Sequence, residues 1–139
     1  TVVKIQETIN SVIPHSKDYE NEEFYMAVSF LSSNSDHEEI QKLKDLADIT
    51  YWHQGAVDIV PKGVSKKSGI DVILNMHGLK IEETMAIGDG ENDIAMLRHC
   101  RIGIAMGNSE QEVKDAADYI TDDIDQDGLY KALKQYELI

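Results

Sequence analysis

The sequence predicts an α/β fold in which a parallel sheet flanked by helices follows a smaller α/β segment. Three observations predict it. After residue 61, helical apolar spacing alternates with short apolar runs, the pattern of strands joined by crossover helices. Before it, the order reads α-β-α-β-β, with two strand candidates meeting at a Gln54-Gly55 turn. Between the two, Pro61 and Gly63 break the pattern. The boundary is therefore placed near residue 61, with residues 1–60 in one part and 61–139 in the other.

In chain order, Val2, Ile5, Ile9, Val12 and Ile13 lie at helical spacing before Pro14. The aromatic and apolar run Phe24 to Leu31 predicts a strand. Ser35 and Glu38 form a capping box for a helix carrying Ile40, Leu43 and Ala47 on one face. Ile49 to His53 and Ala56 to Val60 are short strands. Ser65 caps the next helix, which shows Ile70, Ile73, Leu74 and His77 and is closed by Gly78. Strand 84–88, helix 92–99, strand 102–106 and helix 110–117 follow, the last opened by a second capping box, Ser109 and Glu112. A short strand at Tyr119 to Thr121 precedes a final helix with Leu129, Ala132, Leu133 and Tyr136.

Composition narrows the function classes. The 139 residues are 42% hydrophobic and 28% charged, with a net charge of −13. Such an acidic balance opposes nucleic acid or an anionic membrane as a general partner. No apolar run approaches the roughly 18 residues of a membrane span, no signal peptide is recognisable, and the single Cys100 suits a reducing cytosol. A cytoplasmic location is expected.

Two constellations carry chemistry. In Gly88-Asp89-Gly90-Glu91-Asn92-Asp93, an apolar strand ends on a carboxylate, a glycine turn follows, and a helix begins. Open α/β sheets place ligands at that end of their strands. Asp89 and Asp93, four apart, are candidates to share a hard divalent cation; magnesium typically takes one or two carboxylates, with phosphate and water completing its shell. An acidic surface turn capping a helix is the plain alternative. Upstream, Pro61-Lys62-Gly63-Val64-Ser65-Lys66-Lys67-Ser68 sets lysines at a helix start, where positive charge opposes the helix dipole. That cost points to an anion site, with phosphate as the candidate. Lys66 lies on the first turn, whereas Lys62 precedes it and Lys67 points about 100° away. A cation site beside a lysine suits phosphoryl chemistry, because both neutralise the transferring group. Asp123, Asp125 and Asp127 imitate the front of a calcium loop, but Lys134 stands at the twelfth position, where a bidentate Glu is required. Asn108, after Gly107 and just beyond a strand end, borders the same pocket or serves as a turn residue.

The runs Val60 to Lys66, Ile87 to Leu97 and Gly103 to Asn108, with the tail Ala116 to Thr121 and Asp127-Gly128, resemble the haloacid dehalogenase (HAD) superfamily, in particular its Cof-like phosphatases. The resemblance is detailed over roughly residues 56–139 and looser over 1–60. It implies a partial Rossmann-like core for 61–139 and the C-terminal part of an α/β cap for 1–60. It implies magnesium-dependent hydrolysis of small phosphate monoesters, such as sugar phosphates, through an aspartyl-phosphate. By that resemblance Lys66 binds the phosphate, Asp89 holds magnesium, Asn92 contacts the substrate phosphate, and Asp93 supports the metal directly or through water. The family's Asp-x-Asp-Gly-Thr nucleophile motif does not precede Lys66. The chain thus looks like the C-terminal portion of such a phosphatase, inactive by itself, with an uncovered sheet edge inviting self-association. The alternative is a non-catalytic phosphate- or magnesium-binding module, or an interaction subunit that completes a partner's site.

Overall fold

The computed structural model describes residues 23–139, which divide into two compact units between Gly63 and Val64. The helix expected over residues 2–13 lies outside the described residues.

Among the described residues, the first unit is a three-stranded antiparallel sheet with one helix. Its elements are β1 (Ala27–Phe30), α1 (Asn34–Gln41), β2 (Ala47–His53) and β3 (Ala56–Pro61), and β3 runs between the other two strands. The β2–β3 hairpin turns at Gln54-Gly55. Its register sets Ile49 opposite Ile59 and Tyr51 opposite Val57. With two-residue alternation, these side chains share one face, where they pack with buried Leu31, Ile40 and Val57 and with Leu43.

Two expectations for this unit are corrected. The capping box is Ser33 with Asp36, not Ser35 with Glu38. Both pairs have the required spacing, but the Asp36 carboxylate gathers the N–H groups of Ser32 at 2.7 Å and Ser33 at 3.0 Å and the Ser32 hydroxyl at 2.9 Å. The helix also stops at Gln41, because Ala47 pairs with Pro61 and opens β2. The Ser32 and Ser33 hydrogen bonds pull the Asp36 carboxyl down from 3.8 to about 2. A lowered folded-state value contributes stability above the unfolded value and loses it as pH falls through the folded one. Between pH 3.8 and about 2, Asp36→Asn is therefore expected to lose less helix than the parent as pH falls, read by far-UV circular dichroism.

The second unit is a parallel sheet in the order β4-β5-β6, formed by Met85–Gly88, Ile102–Ala105 and Tyr119–Ile120. Its helices are α2 (Lys66–His77), α3 (Ile94–His99), α4 (Gln111–Lys114) and α5 (Gly128–Gln135). Ser65 caps α2, and Gly78, at φ 65°, closes it in the left-handed region where a side chain would be strained. Ala86, Leu97, Cys100, Ala105 and Val113 form the buried core, against which Ile70, Ile94, Met96 and Ala117 pack. Every connection leaves the carboxyl end of its strand on the same side, so the loops after Gly88, Ala105 and Ile120 gather there.

The expected helix 92–99 begins as a 3-10 turn, Glu91–Asp93, closed by Asp93 N–H on the Gly90 carbonyl at 2.9 Å. The second capping box is absent. Ser109 donates its N–H to Met106, which makes it part of the turn leaving β5, and Glu110 takes the cap position without a side-chain bond. Ser109 Oγ is buried and has no hydrogen-bond partner among the described residues.

Candidate active site

The acidic turn is built around Asp93, of which only 3% is exposed. Its Oδ2 accepts the backbone N–H groups of Asp89 at 3.0 Å and Gly90 at 3.1 Å. Its Oδ1 takes the Lys66 ammonium. One carboxylate thereby satisfies two loop N–H groups and ties the first turn of α2 to the end of β4. Such charge-assisted bonds are the strong ones. Gly88 makes room for it, since a Cβ there would lie 2.5 Å from Asp93 Cβ and 2.7 Å from Oδ2.

Asp89 is placed differently. It is exposed at the carboxyl end of β4, and its polar contact is the Asn108 amide, 3.5 Å from Oδ2. The two carboxylates therefore share a turn but divide its tasks, one facing the loop's own N–H groups and the other facing solvent. Asn92 is half-buried, with Oδ1 2.9 Å from where a Cβ on Gly90 would sit.

The three lysines of the helix start go to three carboxylates. Lys62 pairs with Asp48 at 2.9 Å, Lys67 with Asp71 at 3.6 Å, and Lys66 with Asp93. Only the last reaches the acidic turn. Lys62 and the Gly63 N–H hold the Asp48 carboxyl below its ordinary value. Asp71 is lowered first by a hydrogen bond from His99 of α3 and then by Lys67. The hydroxyls of Ser65 and Ser68 serve the reciprocal cap of α2, each accepting the other residue's N–H. The capacity to meet an anion thus rests on Lys66, half of whose side chain is exposed.

A cavity of about 270 Å³ opens beside Asp89, with Asn108, Met106, Ile124 and Leu129 among its walls. That is just below the usual range of ligand-sized clefts, about 300–1,000 Å³. Sequence reasoning had no signal for Ile124 and Leu129, because they arrive on the loop after β6 and the start of α5. Among the described residues, no group of three or more His, Cys, Asp or Glu could hold a metal. The donor chemistry nonetheless fits magnesium, which takes one or two carboxylates and leaves positions for water and phosphate: Asp89 offers a hard, exposed oxygen at the rim of this cavity.

A family model of haloacid dehalogenase-like hydrolases matches residues 4–133. Among the curated relatives are two 5-amino-6-(5-phospho-D-ribitylamino)uracil phosphatases of Bacillus subtilis. YcsE is 38% identical over 101 residues, 73% of this chain and 40% of that protein. YitU is 32% identical over 130 residues, 94% of this chain and 45% of that protein. A solved HAD subclass IIB sugar phosphatase superposes with a TM-score of 0.82 at 38% identity, covering 99% of this chain and 55% of that one. The chain thus spans about half the length of these relatives or less. No helix among the described residues is long and apolar enough to cross a membrane.

Proposed function

The chain belongs to the haloacid dehalogenase-like hydrolase family, and from that premise we propose that it is the magnesium- and phosphate-binding portion of a phosphatase for small phosphate monoesters. Residues 1–60 are read as the C-terminal part of its cap and 61–139 as the C-terminal part of its core. The observation that carries the reading is the pairing of Lys66 with buried Asp93 on the turn that presents Asp89 to solvent.

In this reading Asp89 holds the magnesium ion. Asp93 supports it by ordering the Asp89–Gly90 backbone and by keeping Lys66 at the turn. Lys66 and Asn92 contact the substrate phosphate. Magnesium would neutralise charge on the phosphoryl oxygens. Lys66 adds a second positive charge from a fixed position, at no reorganisation cost during reaction.

The nucleophilic carboxylate is proposed to come from further polypeptide, in the same chain or in a partner. Three observations support this. The phosphatase relatives are about twice as long. The apolar side of α2 is open, with Val72, Ile73 and Met76 each more than half exposed and no residue of the helix buried. Among the described strands β4 also has a neighbour on one side only, and such edges recruit other chains. The 139 residues alone are expected to show no magnesium-dependent hydrolysis of p-nitrophenyl phosphate above that of Asp89→Ala, and to associate with rising concentration in sedimentation velocity. Clear turnover that Asp89→Ala abolishes would overturn the first expectation, and a strict monomer the second. Sugar phosphates and related metabolites are the proposed substrate class.

A further inference from the structure

We propose that Asn108 is the positioning residue for Asp89: its amide orients the carboxylate toward a divalent cation, and it takes its own orientation from the Ile124 N–H. The inference rests on the reading of Asp89 as the cation ligand.

The direction of the amide is determined twice over. Ile124 N–H lies 3.1 Å from Asn108 Oδ1, and this donor requires an acceptor. The Asn108 NH₂ then faces Asp89 Oδ2 at 3.5 Å, and an ionised carboxylate only accepts. A flipped amide would set donor against donor at one end and acceptor against acceptor at the other. With Oδ2 facing Asn108, Oδ1 is left for the cation. At 3.5 Å the contact is long for a hydrogen bond, as active-site hydrogen bonds often are before a ligand is bound.

Asn108 can orient Asp89 because its own footing is firm. Gly107 donates to the Asp122 carbonyl at 3.1 Å, and Thr121 to the Ala105 carbonyl at 2.9 Å. A Cβ on Gly107 would lie 2.4 Å from Asp123 Oδ1 and 2.7 Å from its backbone nitrogen. The loops after β5 and β6 are therefore stitched together. Asp93 orders the loop after β4 separately. Asn108 is the side chain through which the stitched pair reaches Asp89.

The test is a Mn²⁺ titration, followed by electron paramagnetic resonance, of the 139-residue chain and of Asn108→Ala, Ile124→Pro and Asp89→Ala. Residues that orient a metal ligand typically contribute 10- to 100-fold in metal affinity. Asn108→Ala is expected to bind Mn²⁺ about 10-fold more weakly at an unchanged thermal midpoint, which a purely structural role would not produce. Ile124→Pro removes the orienting N–H at the first position of a 3-10 turn, where proline fits, and Asp123 before it is already extended at φ −60°, ψ 158°. It should weaken Mn²⁺ binding in the same direction. Should Asn108→Ala fail to fold, Ile124→Pro decides: weakened binding supports the inference and parent-like binding overturns it. An Asn108→Ala affinity within about twofold of the parent, with Asp89→Ala binding lost, overturns the inference and leaves the metal reading standing. Mn²⁺ binding that Asp89→Ala does not change overturns both.

Discussion

Asp93→Ala is expected to destabilise the second unit by about 3 kcal/mol in urea unfolding. The substitution leaves the Asp89 and Gly90 N–H groups without their acceptor in a half-closed turn and releases Lys66. Each unsatisfied donor costs about 1–3 kcal/mol when buried. The Lys66 share is smaller, because half of that side chain is exposed and water screens the pair. Asp93→Asn separates the two contributions. Its carbonyl oxygen can still accept the two N–H groups, while its NH₂ faces the ammonium without attraction. A loss of about 1–2 kcal/mol is expected for it. Equal losses for the two variants would show that the lysine contact, not the loop N–H groups, dominates. A loss below about 1 kcal/mol for Asp93→Ala would contradict the central place given to this carboxylate.

Gly88→Ala is expected to cost about 2 kcal/mol, as overpacking a tight site does, and to weaken divalent cation binding with it. The added methyl would sit 2.5–2.7 Å from Cβ, Cγ and Oδ2 of Asp93. The strand cannot easily yield, since the Gly88 carbonyl accepts the Met106 N–H at 3.0 Å. Asp93 must move instead, and with it the bonds to Asp89, Gly90 and Lys66. Gly69→Ala is the control. Nothing lies within 4 Å of a Cβ there, and the position is inside α2. It should be neutral or stabilising, by up to about 1 kcal/mol. Calorimetric melting of the two variants with and without Mn²⁺ checks both halves of the expectation. A Gly88→Ala chain that melts with the parent and gains as much from the ion would refute it.

The alternation of helices and strands after residue 61 was legible because each element carries its own periodicity and punctuation. Ser65 and Gly78 mark the two ends of α2 in the sequence and in the structure. The capping boxes were not legible, since spacing alone cannot rank neighbours. Ser33 prevails over Ser35 because Asp36 reaches three groups on Ser32 and Ser33. Ser109 loses its cap because its N–H closes the turn after β5.

The sequence by itself determined the family, the α/β class and the residues worth watching: Lys66, Asp89, Asn92 and Asp93. Their identities follow from local chemistry, a lysine at a helix start and carboxylates after a strand. Tertiary structure decided the division of labour among them. Which carboxylate turns inward depends on Gly88 having no side chain, on two N–H groups converging on Asp93, and on Lys66 arriving from 27 residues away. Which residues wall the site depends on loops from three strands meeting at the carboxyl end of the sheet, where Asn108 reaches Asp89 and Ile124, bonded to Asn108, lines the same cavity. Such long-range meetings leave no period or spacing in a chain, because what enforces them is packing.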